Sequence, residues 1–227
     1  NIHFLYGKFR MLLVEADWLF SKYNGNDWKD SIIVVDGSWY LPNQKRDPFK
    51  EHTNCRIPKA RFFDIDSVCD TNSNLPHTIP DQNQFEKSMN KLGLKNTNHI
   101  VIYSKDGIGT SPRVWWLLKI FGHQKISILN GGFKAWINIG GQFETGQYEN
   151  ITTNSYKANY NNNFFCNTEK VKMSMKNNNS QIVDARSQGR FKGIEPEPRK
   201  NLKGGHIPGS KNLPYQLFLN EKGFLLK

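Results

Sequence analysis

Two arginines stand in one short segment, Arg190 in Gly189-Arg190-Phe191-Lys192-Gly193 and Arg199 at the end of Glu195-Pro196-Glu197-Pro198-Arg199. A guanidinium offers paired donors in one plane, which suits a carboxylate or a keto-acid. Read alone, both would be ordinary surface arginines beside Glu195 and Glu197. A second feature is the polar loop Ser104-Lys105-Asp106-Gly107-Ile108-Gly109-Thr110, which leads into Ser111-Pro112. A tight loop of backbone N–H groups opening onto a helix N-terminus stabilises an anion. It would also lower the pKa of a thiol held there, keeping a nucleophile ionised at neutral pH. This loop holds no cysteine. Cys55, Cys69 and Cys166 lie elsewhere and form no CxxC pair. Neither a disulfide framework nor a zinc site is expected. No cofactor is implied, and reduced thiols in a cytoplasmic setting are the expectation.

The elements that position these residues follow from pattern. Ile32-Ile33-Val34-Val35-Asp36 and His99-Ile100-Val101-Ile102-Tyr103 are short apolar, β-branched runs and predict buried strands. Ser111-Pro112 predicts an N-cap followed by proline at the first helical position, with the helix over 113–121 closing at Gly122. A strand over 125–129 and a helix through Phe133, Trp136 and Ile137 follow. Trp115, Trp116 and Trp136 are expected in the core. Strands alternating with short helices imply βα units on a mainly parallel sheet.

The pattern then recurs. Gln181-Ile182-Val183-Asp184 repeats the strand ending in an acid, and His206-Ile207-Pro208-Gly209-Ser210 echoes Arg56-Ile57-Pro58-Lys59-Ala60. Two copies of one unit are expected, over 11–141 and 166–227, joined by a polar surface linker over 142–165, with a short helix at 168–176 leading the second copy. By the register of the first copy, the second copy's loop falls beyond Lys227, so the second unit is expected to be incomplete here.

A net charge of +11 invites a nucleic-acid reading. The lysines are scattered and no basic stripe interleaves with aromatics, so a solvated basic surface is expected, one that would favour small anions. No run of apolar residues is long enough to span a membrane, and no secretory leader is visible.

Three motifs taken together, SPRVWW, GRFKGIEPEPR and GHIPG, are similar to those of the tandem-domain rhodanese family, and the resemblance runs over almost the whole chain. It implies an α/β fold of two rhodanese-like domains with mainly parallel sheets flanked by helices. It further implies transfer of sulfane sulfur from a small anionic donor, 3-mercaptopyruvate or thiosulfate, through a cysteine persulfide to a thiol or cyanide. The resemblance makes the first unit non-catalytic and puts the nucleophilic cysteine beyond Lys227. It makes Arg190 and Arg199 the residues that bind the substrate carboxylate, and Arg199 favours 3-mercaptopyruvate. One departure is that Arg56 and Lys59 stand where relatives carry histidine and glycine. The competing reading is a non-catalytic binding or regulatory module; a phosphatase on the same α/β unit would need a cysteine in the Ser104–Arg113 loop.

Overall fold

The computed structural model describes residues 12–25, 31–147, 151–177, 180–199 and 202–226. Residue 11, where the first unit was expected to begin, and Lys227 lie outside them.

The apolar runs form a five-stranded sheet. Its strands are β1 (Leu13–Val14), β2 (Ile32–Asp36), β3 (Arg61–Phe62), β4 (His99–Tyr103) and β5 (Ile126–Leu129), ordered β1-β5-β4-β2-β3. Every pairing is parallel, with Ile32 opposite His99 and Asp36 opposite Tyr103 at the centre. A parallel sheet covered on both faces reads as continuous apolar sequence rather than alternation, which is why β2 and β4 were legible. The crossover helices are α1 (Ala16–Asn24), α2 (Pro48–Asn54), α3 (Gln82–Lys91), α4 (Ser111–Ile120) and α5 (Gly132–Asn138). One core cluster, with Val35, Phe85, Ile102, Leu117 and Phe121, packs one sheet face. A second, with Leu19, Val34, Val101, Tyr103 and Trp136, packs the other. Trp136 is fully buried, while Trp115 and Trp116 are partly buried against the first cluster.

Two expectations need correction. Ser111 is not an N-cap: α4 begins at Ser111, and Thr110 occupies the cap position without a side-chain cap bond. The reason is that the Ser111 hydroxyl turns inward to meet Ser104 at 2.8 Å. The segment over 142–165 is also not confined to the surface. Tyr156 is fully buried and Ala158 nearly so, both within the first core cluster. Asn90 on α3 holds this segment, accepting from Tyr156 N and Thr153 Oγ1 and donating to Tyr156 O.

Further along lie α6 (Thr168–Asn177), β6 (Val183–Asp184), α7 (Gln188–Lys192) and β7 (Lys211–Asn212), with β6 and β7 parallel. Around the two acids the local geometry is shared. Phe63 N donates to Asp36 O and Leu213 N to Asp184 O, while Ala60 N donates to Ile57 O and Ser210 N to Ile207 O. Gly209 takes positive φ in its turn, and Lys59 does the same without being glycine. The second sheet differs in burial: no described residue over 180–226 is buried, and Val183 is 52% exposed.

Candidate functional site

The first-unit loop is built around Ser104, the residue that follows β4. Its hydroxyl is buried, accepts from Ser111 N at 3.0 Å and lies 2.8 Å from the Ser111 hydroxyl. Gly109, at positive φ, passes so close that a Cβ there would meet Ser104 Cβ at 2.9 Å. From below, the end of β2 ties the loop in place. Asp36 pairs with His52 at 2.9 Å and accepts from Ser38 N and Oγ, and Ser38 Oγ accepts from Lys105 N. Lys105 tucks its ammonium beneath the Phe133 ring at 3.9 Å and donates to Cys55 O. Burial pushes its pKa down, with the nearby Asp36 charge opposing.

Above the loop opens a cavity of about 290 Å³ whose lining includes Trp39, Tyr40, Ser104, Asp106, Thr110 and, from further along the chain, Tyr215. Arg46 lies over the Tyr40 ring at 3.7 Å and bonds both Glu51 and Asp106. Burial works against the Asp106 carboxylate, but the hydrogen bonds from Arg46 and Lys134 outweigh it and hold its pKa below the ordinary value. One wall is therefore aromatic and the rim carries charges of both signs.

Trp39 links this cavity to a second cluster. Its indole donates to Asp66 Oδ1 at 3.0 Å, and its ring meets that of His77 edge-on at 4.9 Å. His77 Nε2 lies 2.6 Å from the same Asp66 oxygen. His77 adopts φ +58, a left-handed conformation uncommon for a residue with a Cβ, and Arg113 from α4 donates to its carbonyl. The other ring nitrogen, Nδ1, faces Arg199 Nη2 at 3.4 Å. The first-unit histidine that meets a motif arginine is thus His77. Sequence reasoning passed it over because no motif flags it; the signal was the pair of acids and a histidine shortly after β3.

Arg56, whose place in the turn raised the question of a lost histidine, is 2% exposed and serves the fold. It donates to Gly146 O at 2.6 Å and pairs with Glu144 at 3.4 Å.

Arg190 belongs to α7. Ser187 caps that helix, accepting from Arg190 N. The Arg190 guanidinium bonds Glu197 Oε2 through Nη2 at 2.6 Å and Nε at 3.2 Å. Arg186 grips the other oxygen, Oε1, at 2.8 Å, and itself binds Asp184 and Gly205 O. The first cause holding the Glu197 carboxyl below its ordinary range is the Arg190 hydrogen bond. The structure therefore does not set both motif arginines on one point: Arg190 is forked onto Glu197, while Arg199, two residues further on, reaches to His77. His206 stacks on Phe191 at 3.8 Å and contacts its carbonyl at 2.8 Å, so its bond goes to α7 rather than to its own turn.

None of the cysteines belongs to the loop, though the Cys55 carbonyl accepts from Lys105. Cys69 is buried, donates to Asp66 O, and burial pushes its thiol pKa up. Cys55 caps α2 and Cys166 is exposed. Among the described residues no group of three or more His, Cys, Asp or Glu side chains is arranged to hold a metal ion, and no helix is long and apolar enough to cross a membrane.

A parallel α/β sheet whose loop after β4 opens onto a helix N-terminus, with His77 meeting Arg199 nearby, defines a class, and comparison with known proteins gives it a family. Residues 46–139 match the rhodanese-like domain. The chain is 36% identical to mouse (Mus musculus) 3-mercaptopyruvate sulfurtransferase, over 93% of this chain and 71% of that protein. It is 37% identical to rat (Rattus norvegicus) thiosulfate sulfurtransferase, over 93% and 72%. It is 33% identical to the mitochondrial thiosulfate/3-mercaptopyruvate sulfurtransferase 1 of Arabidopsis thaliana, over 91% of this chain and 59% of that protein. The crystal structure of SseA, a 3-mercaptopyruvate sulfotransferase from Escherichia coli, superposes with a TM-score of 0.84 at 32% identity, covering 95% of this chain and 79% of that one. The chain belongs to the rhodanese family, and these homologues are sulfurtransferases.

Proposed function

We propose that the protein takes part in sulfur transfer from 3-mercaptopyruvate, with Arg190 and Arg199 receiving the substrate carboxylate. The observation that carries this reading is the meeting of Arg199 with His77, itself held by Asp66, beside a cavity walled by Trp39 and Tyr215. A carboxylate drawn to Arg199 lies next to His77 and the Asp66 carboxylate that holds it.

A cysteine thiolate attacks the donor sulfur; the carbon–sulfur bond breaks and its electron pair leaves with the enolate of pyruvate, which takes up a proton. The cysteine now carries a persulfide. Cyanide or a thiolate then attacks the outer sulfur and restores the cysteine thiolate. In this reading His77, with one ring nitrogen on Asp66 and the other facing Arg199, borders the place where that proton is taken up. The attacking thiolate is none of Cys55, Cys69 and Cys166. Cys69 has its pKa raised, and none of the three lies in the loop that would stabilise the ionised form.

Losing a hydrogen bond to a charged group costs roughly 1.5–3 kcal/mol, or about one to two orders of magnitude in kcat/KM. In the complete protein, Arg199→Ala should depress kcat/KM for 3-mercaptopyruvate by that much. Thiosulfate, which has no carboxylate, should lose less. An equal fall for both donors, or no fall for either, would remove Arg199 from carboxylate recognition and favour a thiosulfate sulfurtransferase.

A further inference from the structure

Glu197 forms the centre of a chain of charge that no substrate contact requires. Its side chain is 4% exposed, whereas those of the two arginines that hold it are 29% and 30% exposed. Arg186 is anchored by Asp184 at the end of β6, through Nε at 3.0 Å and Nη2 at 2.5 Å, and by Gly205 O at 2.6 Å. That leaves Arg186 Nη1 to fix Glu197 Oε1, and Glu197 Oε2 to receive both Nε and Nη2 of Arg190. The Nη1 amine of Arg190 makes no hydrogen bond among the described residues.

A long arginine side chain has many rotamers, and binding must order whichever of them the substrate needs. A carboxylate shielded from solvent that takes two donors from the guanidinium edge fixes its plane in advance. From this geometry we infer that Glu197 is a positioning residue. It holds Arg190 by one edge so that Nη1 faces outward toward an incoming carboxylate, and Arg186 is the strut that joins this arrangement to the end of β6. The inference rests on the reading of Arg190 as a carboxylate-binding residue. It also assigns the second acid of the EPEPR segment a task distinct from that of Arg199.

The test uses the complete protein, with steady-state kinetics on 3-mercaptopyruvate and cyanide and with thermal melts on every variant. Glu197→Ala should raise KM for 3-mercaptopyruvate about tenfold with kcat little changed, since it loosens an ordered charged contact rather than removing it. Glu197→Gln, which keeps the shape and one acceptor, should lie between Ala and the parent and serves if the Ala variant does not fold. On an Arg190→Ala background the Glu197 substitutions should raise KM no further, because their effect runs through Arg190. A silent Arg190→Ala would overturn the carboxylate reading and this inference with it. A costly Arg190→Ala beside a silent Glu197→Ala would overturn the positioning role alone. So would a Glu197→Ala effect of the same size on the Arg190→Ala background.

Discussion

Lys59 shows what single residues in the two matching turns contribute. It holds φ +59, where its counterpart Gly209 holds φ +78. A side chain in this left-handed region costs roughly 1–2 kcal/mol, partly offset because glycine loses more entropy on folding. Its amide donates to Glu144 Oε2, so the strained backbone is held by a neighbour. Lys59→Gly should therefore stabilise the chain by about 0.5–1 kcal/mol, the strain relieved less the added entropy loss. Urea unfolding would read this, and a loss of stability would show that the Lys59 side chain contributes more than its backbone strain removes. At this scale the sequence was legible where chemistry sits inside a motif. The arginines stood out because GRFKG and EPEPR frame them. His77 and Asp66 did not, because a left-handed residue and an indole bring them together, and neither leaves a periodic trace. Glu197 was visible only as a neighbouring acid; its grip on Arg190 depends on α7 placing that arginine where an extended segment can reach it.

At the scale of elements, the central strands were readable because burial on both faces demands unbroken apolar runs. The connection after α5 was misread for the converse reason. Its asparagines, threonines and glycines suggest a solvated tether, and a lone tyrosine among them gives no period. Yet Tyr156 fills a place beside Phe85 and His123, with centroid separations of 6.2 and 5.7 Å. Removing a buried aromatic side chain leaves a cavity and costs about 3–5 kcal/mol. Tyr156→Ala should destabilise the first unit by that amount in chemical denaturation. Tyr156→Phe should lose far less, since no protein group bonds the Tyr156 hydroxyl in the described structure. If the two variants behaved alike, the ring would not be what anchors the segment.

For the molecule as a whole, burial is unevenly shared. The first unit has two core clusters, while the described residues over 180–226 leave Ile194 77%, Leu217 64% and Leu226 58% exposed. Contact with the first unit is made at several points, by backbone groups and by the Phe224, Arg199 and Tyr215 side chains. Leu225 N donates to Asn130 Oδ1, Phe224 lies against Gly131, and Gly223 approaches Gly107. Large exposed apolar side chains promote association. Residues 1–227 prepared on their own should therefore show a sedimentation coefficient that rises across a concentration series. Ile194→Lys combined with Leu217→Lys should flatten that rise. A single unchanging species for the parent chain would count against it.

The burial of Tyr156 also bears on the order of events during synthesis. A chain emerges from the ribosome N-terminus first, and domains tend to fold as they emerge. Here the last pieces of the first core, Tyr156 and Ala158, follow the final strand of its sheet by a stretch that looks like spacer. Until they arrive, Phe85 and Phe121, stacked at 4.0 Å in the finished fold, lack the ring and methyl that close over them. The nascent unit can pair its strands before it can seal its interior. Its window of exposure to chaperones, and to misfolding, lasts until the supposed linker has left the exit tunnel.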